Sequence, residues 1–298
     1  MFGFLILDKP PILSSRTAID HLVRLVKPTK VGHAGTLDPL ATGVLVTTLG
    51  PATRLTSYVQ SMPKTYRATF QLGLESSTED ITGDVSSLPH SPRVSESDLV
   101  AVLPQFMGTI LQRPPQFSAL RVNGRRAYKL ARHGGDFELP ARPIEIYELH
   151  LVRFEYPEFD LEIRCGSGTY VRSLGRDIGR AVGSAAVMTS LRRTSIGTFL
   201  LDRAVEPTTL RNTDIAQHLI APREVVRDLH SVKLDQRQCD GLLDGVPVDL
   251  NVPAGVAQVA AVDTRERLIA ILKLKDFGLF APTINFAHYW RKCDIQRD

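Results

Sequence analysis

The sequence predicts a mixed α/β fold with a largely antiparallel sheet, followed by a small β-rich C-terminal domain. Three observations predict it. Strand-like apolar runs dominate, the helical patterns between them follow no regular β-α-β rhythm, and near residue 228 the texture changes to short apolar runs separated by tight turns.

Phe4 to Leu7 reads as a first strand, ended by the turn residues Asp8-Lys9-Pro10-Pro11. Ser14 or Ser15 then caps a helix, because Ala18, Ile19, Leu22, Val23 and Val26 recur at helical spacing, and Pro28 stops it. A glycine-punctuated loop from Gly32 to Gly43 leads into a buried strand, Val44 to Leu49, and Tyr66 to Leu72 is another. The polar stretch from Ser76 to Ser97, with Pro89 and Pro92, reads as a surface loop. Ile144 to Phe154 and Phe159 to Cys165 read as a strand pair. A helix starts near Thr169 with Val171, Leu174 and Ile178 facing inward, and Thr194 to Leu200 is a further strand. Val256 to Val262 and Leu268 to Leu274, joined by Asp263-Thr264-Arg265-Glu266, form a hairpin pattern.

The 298 residues are 43% hydrophobic, enough for one large domain and a small one. No apolar stretch approaches the ~20 residues that span a bilayer, and the apolar N-terminus lacks the basic residues of a signal peptide, so no membrane association is expected. Cys165, Cys239 and Cys293 are scattered and odd in number, which argues against a disulfide framework or a zinc site and fits the cytoplasm. The net charge of +4 only hints at an anionic partner.

The densest chemical signal is Gly32-His33-Ala34-Gly35-Thr36-Leu37-Asp38-Pro39-Leu40-Ala41-Thr42-Gly43. Its glycines let backbone approach a ligand closely, and Pro39 fixes the turn after a carboxylate. An Asp pinned there can serve as nucleophile or base, or can simply close an Asx turn on its own backbone. His33 alone reads more readily as structural. A second cluster, Cys165 to Arg172, places Arg172 in the first turn of a helix, where a cation is disfavoured unless a carboxylate or phosphate meets it. Arg176 and Arg180 share that face and read as a solvated stripe. Third, Met107 to Gly135 holds no acidic residue but carries Arg113, Arg121, Arg125, Arg126, Lys129 and Arg132, with Phe117 and Tyr128 interleaved. A one-signed segment with aromatics favours nucleic acid over a solvated helix face.

Together these residues resemble a family. The loop Gly32 to Gly43, with Leu7-Asp8-Lys9-Pro10 before it, is similar to that of the bacterial tRNA pseudouridine-55 synthases, the TruB family. Lys64-Thr65-Tyr66-Arg67, Pro114 to Ala119, Gly168 to Arg172 and Leu191-Arg192-Arg193 follow in the same order, so that the resemblance runs from about residue 4 to about residue 200. One departure is Ile12, where the family usually has glycine. The resemblance implies a pseudouridine-synthase fold over 1–228, its central sheet flanked by helices and an RNA clamp near 107–135, and a PUA-like RNA-binding domain over 229–298. It implies an isomerase: uracil leaves ribose C1′, turns, and rejoins through C5, with no cofactor and no metal. Asp38 would be the nucleophile, Arg172 its counter-charge, and Tyr66 a stacking wall and candidate base for the C2′ proton. Tyr170 and Leu191 would complete the pocket, Asp80 would contact the extruded base, and His33 the neighbouring nucleotides. Arg121, Arg125 and Lys129 would hold the backbone of a tRNA T stem-loop, with the enzyme a monomer needing no obligatory protein partner. Three rivals stand beside this: a guide-RNA-dependent relative acting in a particle, an RNA-binding module with an inert Asp38, and a nucleotidyl transferase.

Overall fold

A computed structural model describes residues 1–295 apart from 119, 123–124, 128–129, 131–138 and 276–277, and of 121–122 and 125–126 the backbone alone. The chain enters through β1 (Gly3–Lys9), which is buried almost throughout. Ser14 caps α1 (Ser15–Leu25) by accepting from the Thr17 amide, and Ala18, Ile19 and Leu22 face the sheet. Next come β2 (Val31–Ala34), β3 (Thr42–Leu49), the short helix α2 (Thr56–Ser61) and β4 (Lys64–Leu72). Alternation in β4 is clean: Tyr66, Ala68, Phe70 and Leu72 are buried while Thr65, Arg67 and Thr69 face outward. A small hairpin, β5 (Leu74–Ser76) and β6 (Val85–Ser87), precedes α3 (Glu96–Val102) and β7 (Gly108–Gln112). Two two-residue strands, β8 (Arg121–Val122) and β9 (Arg125–Arg126), pair with each other. The long pair β10 (Arg142–Glu155) and β11 (Glu158–Cys165) leads to α4 (Val171–Ala181), then β12 (Ala186–Ile196) and β13 (Phe199–Leu200).

The main sheet runs β1-β3-β12-β4-β11-β10-β7, with β2 on β3 and β13 on β12. Every pairing in it is antiparallel except β12 with β3, which sets Arg192 beside Thr42 and Arg193 beside Gly43. That parallel contact brings the end of the Asp38 loop against β12. Gly43 lies at φ +97°, and a Cβ there would stand 2.2 Å from the Arg193 carbonyl oxygen, so only glycine fits. Helix α4 lies close on the sheet for a similar reason. A Cβ on Gly175 would meet the Phe70 ring at 2.1 Å, and one on Gly179 the Ala186 nitrogen at 2.5 Å.

Three expected boundaries shift. Part of the Gly32–Gly43 loop is strand β2, because Val31 to Ala34 complete a ladder on β3. The stretch from Ser76 to Ser97 contains a hairpin, and in its middle Asp80 bridges to Met188 and is 3% exposed. The strand expected from Thr194 to Leu200 begins at Ala186 and breaks at Gly197, which turns at φ +52° against Met62. Outward Ser190 and Arg192 had hidden its first half.

The C-terminal region forms its own sheet, β14 (His230–Lys233), β15 (Gln258–Val262), β16 (Leu268–Leu274) and β17 (Phe280–Asn285), with helices Gln236–Leu243 and Ala287–Ile295. It has a core of its own but also shares one. Phe2, Phe4, Ile196, Phe199 and Ile220 pack in one cluster with Ala260, Leu268, Ile271 and Phe286, and the Phe2 ring sits 4.6 Å from that of Phe286. Deleting 229–298 would bare several large side chains, each worth about 1.5–3 kcal/mol when buried. The shortened chain is expected to melt earlier than the whole protein and to bind a hydrophobic dye. Wild-type melting of the shortened chain would show that the two sheets are energetically independent.

Candidate active site

Asp38 stands in the loop between β2 and β3, and three buried groups fix that loop. Lys9, wholly buried at the end of β1, donates from Nζ to the carbonyls of Pro10 (2.8 Å), Pro39 (3.2 Å) and Ala41 (2.6 Å). Ser15 exchanges two hydrogen bonds with the Leu37 backbone, donating to its oxygen at 3.0 Å and accepting from its nitrogen at 2.8 Å. Arg193, 2% exposed, donates to the carbonyls of Val44 (2.8 Å) and Gly35 (3.0 Å), and its charge lies near the Tyr66 phenol. Of the two readings left open for Asp38, the structure favours the presented side chain over a bare Asx turn: the loop is cross-braced and its carboxylate is 39% exposed.

Arg172 meets that carboxylate from the first turn of α4. Its Nε lies 2.9 Å from Asp38 Oδ2 and 3.6 Å from Asp80 Oδ2, while its terminal nitrogens donate to the carbonyls of Thr78 (2.6 Å) and Phe117 (3.2 Å). The guanidinium therefore spans two carboxylates and two backbone segments instead of forking onto Asp38 alone. Asp80 is nearly as buried as Arg172, and it also accepts from the Thr78 hydroxyl at 2.6 Å, the Thr82 amide at 2.9 Å and the Thr82 hydroxyl. Its Oδ2 thus faces Arg172 while Oδ1 is held by Thr78 and Thr82, and it is not among the residues lining the cleft.

A cavity of about 110 Å³ opens beside this pair, walled by Leu37, Tyr66, Tyr170, Val171 and Leu191. Tyr66 is 8% exposed. Burial pushes its phenol above the ordinary range, opposed by the Arg193 charge. Tyr170 is fixed at its backbone by Gln112, whose Nε2 donates to the Tyr170 carbonyl (3.1 Å) and whose Oε1 accepts from its amide (2.9 Å). Arg142 lies 5.3 Å over the Tyr170 ring. The cleft thus unites Asp38, Arg172, Tyr66, Tyr170 and Leu191. His33 lies outside it on β2, with a buried Nδ1 that has no hydrogen-bond partner among the described residues; burial and then the Arg193 and Arg16 charges hold its pKa below the usual value. The Arg121 and Arg125 side chains, and the whole of Lys129, fall outside the described residues.

Arg176 corrects the solvated-stripe reading. Only 15% exposed, it pairs with Glu79 and Asp177 and donates to the Arg113 carbonyl at 2.9 Å, whereas Arg180 is exposed. Glu79 also accepts from the Ser173 hydroxyl at 2.6 Å; burial raises its pKa, opposed chiefly by the Arg176 charge. Sequence reasoning missed Lys9, Gln112, Glu79 and Arg193 as site supports. The only signal available for Arg193 was its place in the Leu191-Arg192-Arg193 match.

Lys9 and Lys64 are both held down to about 8, burial being the main cause. In the unfolded chain they titrate near 10.5, so between pH ~8 and ~10.5 these two lysines bind fewer protons in the folded state than in the unfolded one. Their burial cost is full below pH ~8 and relaxes as pH rises through that window. Lys9→Met is expected to make the slope of unfolding free energy against pH less positive over that window in denaturant melts. An unchanged slope would show that Lys9 keeps an ordinary pKa.

A rigid, arginine-paired carboxylate beside an aromatic-walled cavity suits carboxylate chemistry on a planar ring. Comparison with known proteins narrows that class. The family described as TruB family pseudouridylate synthase (N terminal domain) matches residues 23–171. The tRNA pseudouridine synthase B of Sinorhizobium medicae (strain WSM419) is 38% identical over 299 residues, 96% of each chain. That of Bordetella avium (strain 197N) is 43% identical over 226 residues, 75% of this chain and 93% of the other. Among solved structures, the fold matches a chain of a Cbf5-Nop10-Gar1 complex at TM-score 0.71 and 26% identity, over 94% of this chain and 83% of that one. It also matches a chain of an H/ACA RNP bound to a substrate RNA containing 2'-deoxyuridine at TM-score 0.71 and 22% identity, over 95% and 84%. The chain belongs to the TruB family of pseudouridylate synthases.

Proposed function

We propose that this protein is a stand-alone tRNA pseudouridine synthase acting on the T-loop uridine at tRNA position 55, with Asp38 as nucleophile. The observation that carries this is the Asp38–Arg172 pair beside the cavity walled by Tyr66, Tyr170 and Leu191, in a chain alignable end to end with named tRNA pseudouridine synthases B. A uridine in a folded loop cannot reach this cavity in place. It must be extruded, at a cost of a few kcal/mol of unstacking that protein contacts offset. In the cavity its ring lies against Tyr66. Asp38 attacks C1′ as the glycosidic N1–C1′ bond breaks, the freed uracil anion turns, and C5 bonds to C1′ as the Asp38–C1′ bond breaks; the C5 proton is then lost and N1 takes one up, so that the product is an isomer. Arg172 fixes the direction from which Asp38 approaches. If Tyr66 takes the ribose C2′ proton, which must return to C2′ before product forms, it must ionise in a buried site, and the nearby Arg193 charge is the group that favours the phenolate. Arg121, Arg125 and Lys129 are assigned to the phosphate backbone, and residues 229–298 to further RNA contact. The same reading takes the enzyme to act in the cytoplasm, and as a monomer.

The test is to incubate purified protein with an unmodified tRNA transcript, or its isolated T stem-loop, and map pseudouridine by carbodiimide tagging. Product at position 55 without guide RNA or other proteins is expected. Product only when a guide RNA is supplied would transfer the chain to the particle-bound class, and none under either condition would refute the assignment.

A further inference from the structure

We infer that Ile12 is a substrate contact, its side chain covering the face of an unstacked base as the RNA loop settles over Asp38. The inference rests on the RNA-substrate reading above. Ile12 lies at φ +73°, in the left-handed region, where a β-branched residue is strongly disfavoured. It is also 85% exposed, so burial within the protein returns almost nothing for that strain. For the free protein glycine would be better here, being unstrained at that φ. Something outside the chain must therefore reward an aliphatic side chain at this turn.

The position of the turn says what that is. The Ile12 amide donates to the Pro39 carbonyl at 2.8 Å, one residue past Asp38, and Lys9 clamps both Pro10 and Pro39. The turn is thus fixed to the residue that follows Asp38, which makes it a near neighbour of an RNA loop seated on that carboxylate. Leu13 beside it is 36% exposed, extending the apolar tip, and the Arg16 side chain one turn on is 66% exposed, only loosely paired with Asp20 at 3.5 Å. An aliphatic tip next to a cation suits a base face flanked by phosphate. Extruding one uridine leaves its neighbours unstacked, and aliphatic wedges are a recurrent way to cover such faces.

The experiment compares Ile12→Gly, Ile12→Asn and Ile12→Met in the full chain, reading melting temperature, KM and kcat on unmodified tRNA, and tRNA retention on filters. Glycine and asparagine tolerate φ > 0, so both are expected to raise the melting temperature while raising KM and the retention Kd about three- to tenfold, on the scale of the methylenes lost. The rate on saturating tRNA should hold. Methionine, apolar and unbranched at Cβ, should keep KM within about twofold. Ile12→Gly with higher melting temperature and wild-type KM and Kd would overturn the contact, as would a fall in kcat at constant KM, which would make the turn a support for Asp38. Wild-type protein that binds tRNA without isomerising it would fail the functional reading, while the filter assay still decides on Ile12.

Discussion

Asp38→Asn is expected to reduce single-turnover pseudouridine formation on saturating tRNA by about 10⁴-fold or more, the scale on which removal of a nucleophile acts. The fold should not suffer. Asp38 is 39% exposed, and without its charge Arg172 keeps Asp80 Oδ2 at 3.6 Å and the Thr78 and Phe117 carbonyls. Bracing from Lys9, Ser15 and Arg193 acts on the loop backbone, so the amide should sit where the carboxylate sat. Binding of tRNA should therefore stay within a few-fold of wild type, which makes the experiment a test of chemistry alone. Tyr66→Phe is the contrast: the wall remains, the phenol goes, and the rate falls less steeply with binding retained. An Asp38→Asn enzyme that still isomerises uridine at a tenth of the wild-type rate would remove Asp38 from the nucleophile's role.

What could be read from the sequence were features that repeat at short range. Ala18, Ile19 and Leu22 mark one face of α1, and the Ser14 cap needs only Thr17, three residues on. Tyr66, Ala68, Phe70 and Leu72 betray β4 by alternation. Arg172 was legible because a cation in a helix's first turn is anomalous without a carboxylate, and the structure supplies two. Supports made by long-range contact left no such mark. Arg193 reaches the Asp38 loop only because β12 lies parallel to β3, and no periodicity encodes that pairing. Gln112 grips Tyr170 across the gap between β7 and α4. Glu79 sat inside a stretch whose polarity read as solvent-facing, yet its carboxylate is committed to Ser173 and Arg176. The separate sheet β14 to β17 was visible as a change of texture, whereas the packing of Phe2 on Phe286 joins the two ends of the chain.

Replacing Arg172 should separate its two duties. Arg172→Ala leaves Asp80, with a side chain only 5% exposed, without its cation, and leaves the Thr78 and Phe117 carbonyls without donors. Removing one partner of a buried pair costs on the order of 3–5 kcal/mol, so the variant should melt well below wild type and should not turn over. Arg172→Lys keeps the charge but cannot span the site. One ammonium cannot face Asp38 and Asp80 while also reaching carbonyls in two separate segments, so the expected result is a stability loss smaller than for alanine with a rate reduced about 10²- to 10³-fold, as when one fixed catalytic donor is lost. Adding Asp80→Asn to Arg172→Ala removes the stranded charge. The double variant should regain much of the lost stability, because the two positions are in contact and couple. It should regain none of the rate, because Asp38 still lacks the Nε that orients it at 2.9 Å. Thermal melts and single-turnover rates on the same four proteins decide the matter. Recovery of turnover along with stability in the double variant would mean that Arg172 only holds the fold, and that Asp38 directs itself.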